Sequence, residues 1–167
     1  VDSAERARAM SLDRWLFALA IPELGRTTAA VLAKFHKDIA AVAQSELLQD
    51  VIILDELGEE LGRINPRSRK NKPASQQEKT EREQRYKELV EEIQKSVARL
   101  AEIGFAIVTK ENGSHPPNYT TEVGPSVARS LLAWFGSENG RATLQRLVNL
   151  GIDPQGTEPI EDGIGKG

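Results

Sequence analysis

Cysteine is absent from this 167-residue chain, which excludes disulfides and any thiolate-bound zinc. The two histidines, His36 and His115, stand far apart in the sequence with no ligand-spaced partner. Aromatic residues make up only 5% of the chain, so the core must be aliphatic. No apolar run nears the ~20 residues that a membrane-spanning helix requires. Residues 1–30 lack the basic start and apolar centre of a secretory signal. The expectation is a soluble, cytoplasmic protein with no membrane partner. Neither sign of charge is in surplus. Residues 1–51 carry 6 basic and 7 acidic side chains, residues 52–121 carry 12 and 12, and residues 122–167 carry 4 and 6. The formal net charge of −3 argues against a strongly basic nucleic-acid binder. Any electropositive face must therefore come from arrangement.

What is present is a glycine turn between two apolar helical patterns. Leu12, Trp15, Leu16 and Leu19 recur at helical spacing, and Val31, Leu32 and Phe35 continue after Ile21-Pro22-Glu23-Leu24-Gly25-Arg26-Thr27-Thr28-Ala29. Gly25 sits at the tightest point, where positive φ or a close backbone approach is expected. A second copy follows a hundred residues on, Thr121-Glu122-Val123-Gly124-Pro125-Ser126-Val127-Ala128. An apolar residue, a glycine and a helix start form the pattern of a helix-hairpin-helix, which offers backbone amides at a helix N-terminus to a phosphate. The plainer reading is a helical bundle with glycine turns and no ligand.

Between the two turns the chain changes character. Ser11, Asp38 and Ser45 are candidate N-caps for short helices up to Asp50. Val51-Ile52-Ile53-Leu54 is a continuous apolar run that could pair as a strand with Phe105–Lys110, while Arg63, Arg67, Arg69, Lys70 and Lys72 form an acid-free basic stretch, expected to be a mobile loop. Ser75-Gln-Gln-Glu78 reads as a capping box. It opens a long helix to about Ile103, seamed by Tyr86, Val90, Ile93, Val97 and Leu100 and stopped by Gly104. After the second turn come Leu131, Leu132 and Phe135, then a Ser137-capped helix ending at Gly151, then a tail from Asp153 rich in glycine, proline and acids. Within that tail, Gly163-Ile-Gly-Lys-Gly imitates a phosphate loop but lacks a flanking helix or strand, so it reads as linker. The resulting division is residues 1–51 for the first hairpin and the start of the second, 52–121 for an insertion, 122–152 for the rest of the second, and 153–167 for a linker.

No catalytic set is apparent. Glu59/Glu60 and Glu91/Glu92 are adjacent on presumed helices and point apart, which suits no general acid/base pair. Metal ligands and catalytic residues are expected to be absent.

Taken together, Leu12-Asp-Arg-Trp-Leu-Phe-Ala-Leu-Ala-Ile, the first turn with Thr28-Ala29, Val31-Leu-Ala-Lys-Phe35, Glu122-Val-Gly-Pro-Ser-Val-Ala-Arg-Ser-Leu131, Trp134-Phe135 and Asn139-Gly-Arg141 through Gly151-Ile152 resemble the helix-hairpin-helix region of bacterial NAD-dependent DNA ligases. The resemblance implies a mainly α fold of tandem helix-hairpin-helix motifs carrying an insertion with a long helix and a short β-hairpin. It also implies sequence-independent binding of double-stranded, nicked DNA. The DNA-binding residues would be Glu23, Leu24, Gly25, Arg26 and Thr27 in the first turn, with Glu122, Val123, Gly124, Pro125 and Ser126 in the second. Arg63, Arg67, Arg69, Lys70 and Lys72 are weaker candidates. NAD and Mg would belong to the parent enzyme and its remaining domains, because the Lys-x-Asp-Gly adenylation sequence is not in this chain. The sequence departs from the family at Ala20, where glycine is usual, from the general hairpin motif at Glu23, where that motif has glycine, and from the family again at residues 52–121, which interrupt the second motif. A protein-interaction module built on the inserted helix, or a hairpin module of another repair or recombination protein, are the alternatives.

Overall fold

The computed structural model of the chain describes residues 2–157. Its elements in order are α1 (Ser3–Ala9), α2 (Leu12–Ala18), α3 (Arg26–Phe35), α4 (Ile39–Ala43), α5 (Glu46–Ile64), α6 (Gln76–Glu102), β1 (Ala106–Lys110), β2 (Asn118–Thr121), α7 (Pro125–Gly136) and α8 (Glu138–Asn149). The fold is mainly helical, as its class was read from the sequence. Contacts divide the chain into two units, residues 2–48 with 126–157, and residues 49–125. The divisions fall in the first turns of α5 and α7.

In the first unit α2 packs on α3. Leu12, Leu16 and Leu32 are fully buried, and Ala29 and Ala33 beside Leu32 are small enough to admit the neighbouring helix. Ser11 holds the N-cap position of α2, but its hydroxyl turns to the Asp13 carboxylate instead of capping an amide. Asp38 does cap α4, accepting from the Ala41 amide at 2.8 Å, and Ser137 caps α8, accepting from the Gly140 amide at 3.1 Å. Gly140 is there because nothing larger fits. A Cβ at that position would run into the Trp134 carbonyl oxygen and lie 2.9 Å from the Phe135 Cα. Gly151, with φ +66°, ends α8, and the Ile152 amide closes back on the Leu147 carbonyl at 2.9 Å.

Two expectations about this unit need correction. Gly25 has φ −91° and open space around its Cβ direction, so its backbone would accept a side chain. Positive φ falls instead on Ala20 (52°) and Glu23 (66°). The tail also begins later than its composition suggests. Pro154 is fully buried, the Leu12 amide donates to the Gln155 carbonyl at 3.0 Å, and the amides of Gly156 and Thr157 donate to Lys37 and Ala33 at 2.7 and 2.9 Å. Residues 153–157 thus belong to the packing of the unit. The glycine-rich stretch Gly163–Gly167 lies outside the described residues.

His36 is buried among these elements. Its Nδ1 lies 2.8 Å from the Leu32 carbonyl, which can only accept, so Nδ1 carries the proton. Nε2 then accepts from the Ser45 hydroxyl at 2.6 Å, and Ser45 Oγ accepts in turn from the Leu48 amide at 3.2 Å, capping α5. This neutral tautomer satisfies every partner.

In the second unit Val51–Leu54 is helical, not a strand. The run sits inside α5, with Val51, Leu54 and Leu61 on its buried side. The partner of β1 is β2, antiparallel, with Ala106 opposite Thr121 and Val108 opposite Tyr119. The Tyr119-Thr120-Thr121 segment supplies the β-branched and aromatic residues that strands favour. β1 packs on α6. The seam of α6 is buried at Val90, Ile93, Val97 and Leu100, joined by Leu89. Ser75 Oγ accepts from the Glu78 amide at 3.1 Å, while Glu78 reaches back to the Ala74 amide at 2.8 Å. That bond, with help from Arg82, holds the Glu78 carboxyl below its usual range. Gly104, with φ +79°, terminates α6. Nor is the basic stretch a free loop. Arg63 closes α5, the Asn71 side chain donates to the Arg63 carbonyl at 2.8 Å, and Arg82 Nη1 donates to the Asn71 carbonyl at 2.6 Å.

Three substitutions test this description. Ala20→Gly should raise stability by about 0.5–1 kcal/mol, because the left-handed conformation costs an alanine about that much or more, and a shift in the thermal midpoint reads it. Gly140→Ala should cost about 1–3 kcal/mol, the scale of overpacking. Burial holds the His36 pKa below its ordinary value, opposed by the hydrogen bond to Leu32. The unfolded chain therefore takes up that proton first as pH falls. His36's contribution to stability should be complete above the unfolded pKa of about 6.5 and lost as pH drops through the lower folded value. Melting between pH 7.5 and 5.5 should show this slope, and His36→Gln should flatten it.

Candidate nucleic-acid interface

The first turn delivers the start of α3 to the surface. Leu24 is buried and its amide donates to the Ile21 carbonyl at 3.1 Å, which tightens the turn and leaves Gly25 as the N-cap of α3. Gly25 has no side chain to cap with, so the first amides of α3 receive no side-chain acceptor from it. Those amides carry the positive end of the helix dipole. Arg26 and Thr27 are exposed at this end. The Arg26 guanidinium lies 4.9 Å from the centre of the Phe17 ring, a cation–π arrangement that orders it without neutralising it. Arg14, one turn before Phe17 on α2, joins Phe17, Arg26 and Asp13 around a shallow cleft of about 370 Å³. Two cations therefore stand at the open helix end with one carboxylate, and Asp13 is itself engaged by Ser11.

The second turn is differently equipped. Pro125 opens α7 and brings no N–H. The Ser126 hydroxyl in that first turn donates to both oxygens of Glu23, at 3.1 and 3.3 Å. Ser130 donates to the Pro22 carbonyl at 2.9 Å. Glu23 therefore does not point away from the second helix start; its carboxylate stands there. Glu122 is exposed, with its amide on the Phe105 carbonyl at 2.9 Å, and Val123 is buried with its carbonyl accepting from Thr121 Oγ1 at 2.8 Å. Gly124, like Gly25, has open space where a Cβ would go.

Of the sequence-predicted residues, Gly25, Arg26 and Thr27 come together at one helix start, and Glu23 and Ser126 are joined directly. Leu24 and Val123 are core. In the basic stretch Arg67 lines a cleft of residues 49–125, together with Lys79 and Lys87, while Arg69, Lys70 and Lys72 are exposed on the loop. Sequence reasoning missed Arg14 and Phe17. The only signal was their i, i+3 spacing, which does not say that α3 would bring Arg26 to the same face. Among the described residues no group of three His, Asp or Glu side chains is placed to hold a metal ion.

The structure thus defines a small helical module with an open, arginine-flanked helix start. Homologues named DNA ligase cover this chain. It is 37% identical over 158 residues to a DNA ligase of Akkermansia muciniphila, a match spanning 93% of the chain and 19% of that protein. It is 40% identical over 63 residues to a DNA ligase of Flavobacterium johnsoniae, covering 38% of the chain and 9% of that protein. A DNA ligase of Alkaliphilus oremlandii is 36% identical over 59 residues, 35% of the chain and 9% of its own length. The chain therefore spans at most 19% of the length of these three relatives. No protein-family model and no solved structure matches it.

If the Glu23 carboxylate stabilises the start of α7, Glu23→Gln should weaken that end by about 0.3–1 kcal/mol. Relief of like-charge repulsion toward an anion should at the same time increase affinity for one. Paired melting and duplex-binding titrations on the same variant read both effects.

Proposed function

We propose that this chain is the DNA-holding, helix-hairpin-helix region of an NAD-dependent DNA ligase and grips the duplex backbone without reading its sequence. The observation that carries the reading is the uncapped start of α3 between Arg14 and Arg26, in a chain similar to one DNA ligase over 93% of its length. Amides at a helix start bind phosphate oxygens through directed hydrogen bonds and the helix dipole. Arginines beside them add charge-assisted bonds. Such contacts position a duplex and say nothing of its sequence, which is what an enzyme acting on any nick requires. The Gly124–Ser126 turn contributes less, because Pro125 lacks an amide hydrogen and Glu23 competes for the helix start. NAD, Mg and the nick-sealing chemistry are assigned to the rest of the longer protein, and this chain supplies grip.

Gly25→Asp separates fold from grip. Aspartate is a favoured N-cap and should keep or slightly raise the melting temperature, since Gly25 has negative φ and free space. The same carboxylate would occupy the phosphate position, so affinity for nicked duplex at low salt should fall at least tenfold. Arg14→Ala with Arg26→Ala should lower the slope of log affinity against log salt by about 2, since each phosphate that a cation neutralises adds about 0.9. Unchanged duplex binding in both folded variants would remove this reading.

A further inference from the structure

The second unit holds a cleft of about 780 Å³ between the loop that follows α5, the first half of α6 and the loop joining β1 to β2. Arg67, Lys79 and Lys87 stand on its walls against a single acid, Glu83. In a segment, residues 52–121, that carries 12 basic and 12 acidic side chains overall, this surface has three cations to one acid. Elsewhere on α6 the guanidinium of Arg85 is matched to Glu60 at 3.0 Å and that of Arg82 to Glu78. Two rings also line the cleft. Tyr86 and His115 meet edge to face with centroids 6.1 Å apart, and the Tyr86 hydroxyl lies 3.0 Å from His115 Nδ1.

The loop bearing His115 is built to hold that position. Gln94 Nε2 donates to the Gly113 carbonyl at 3.0 Å, and Asn112 Nδ2 donates to the Pro116 carbonyl at 3.0 Å and to Asn118 Oδ1 at 3.1 Å. Three cations and two rings lining one cleft match one ligand chemistry: a chain of phosphates carrying planar bases. We infer that this cleft binds a segment of single-stranded DNA, with Arg67, Lys79 and Lys87 on successive phosphates and a base stacked at Tyr86 and His115. A closed duplex cannot offer a base face to the rings. The cleft therefore serves unpaired nucleotides, a role distinct from that of the α3 helix start. It lies in residues 49–125, through which the 93% match to the Akkermansia muciniphila DNA ligase runs.

The test is anisotropy of a labelled oligothymidylate titrated with the full chain at several salt concentrations. Changing Arg67, Lys79 and Lys87 together to alanine should weaken binding at least tenfold at low salt. It should also lower the log–log salt slope by about 2, since each single-strand phosphate neutralised adds about 0.7. All three side chains are exposed, and helical circular dichroism checks that the variant folds. Tyr86→Leu should weaken binding several-fold while leaving the salt slope unchanged, the mark of stacking. Arg14→Ala with Arg26→Ala should weaken nicked-duplex binding far more than oligothymidylate binding, and the triple variant should do the reverse, so failure here and failure of the duplex reading are distinguishable. Wild-type affinity in the folded triple variant would overturn the inference. So would equal binding of a polyglutamate of matched charge, which has no bases to stack.

Discussion

Leu12 and Leu16 on α2, and Leu32 with Ala29 and Ala33 on α3, are almost completely shielded from water when the two helices pack. Each buried leucine contributes about 1.5–3 kcal/mol relative to exposure. That is more than the roughly 1–2 kcal/mol a non-glycine residue gives up in the left-handed region. The comparison explains why Ala20 and Glu23 can hold φ of 52° and 66° in a turn without glycine at either place. The packing dictates how short the turn must be, and the turn in turn decides where α3 begins. With its start pinned beside Phe17 and Arg14, α3 turns its uncapped end outward.

The two helix starts show how little is needed to separate similar sequence motifs. Both follow an apolar residue and a glycine, and both glycines have space around them. Yet α3 begins with Arg26, whereas α7 begins with Pro125 and carries a serine bonded to Glu23. One end keeps its amides and gains cations. The other forgoes a donor and receives a carboxylate. A phosphate is drawn to a helix start by a partial charge, so one nearby full charge is enough to reverse the preference.

In residues 49–125 the sequence was clearest where a cap or a repeat marked the chain. Ser75 and Glu78 announced the start of α6, Gly104 its end, and the spacing of Tyr86 through Leu100 its buried side. It was ambiguous at Val51–Leu54, because a short apolar run suits a buried strand and a buried helix equally. Tertiary packing decided for helix, with Val51, Leu54 and Leu61 inward. The strand at Asn118–Thr121 was hidden by its nearness to the second glycine turn, and its antiparallel partner could be recognised only once Phe105–Lys110 had no other neighbour.

What the sequence determined by itself is local. The helix caps at Asp38, Ser75 and Ser137, the stops at Gly104 and Gly151, the apolar faces and the mainly α class all follow from interactions within a few residues, which composition and spacing encode directly. What only the tertiary structure decided is where distant residues meet: Arg26 over Phe17 beside Arg14, Glu23 on Ser126, His36 between Leu32 and Ser45, and Tyr86 against His115. The docking of Pro154 and Gln155 belongs with these, since a segment of turn-forming residues looks free until the surface it covers exists. The physical reason is the same throughout. Backbone preferences act over one or two turns of chain, whereas charge, stacking and desolvation act through space, and space is assigned only when the helices pack.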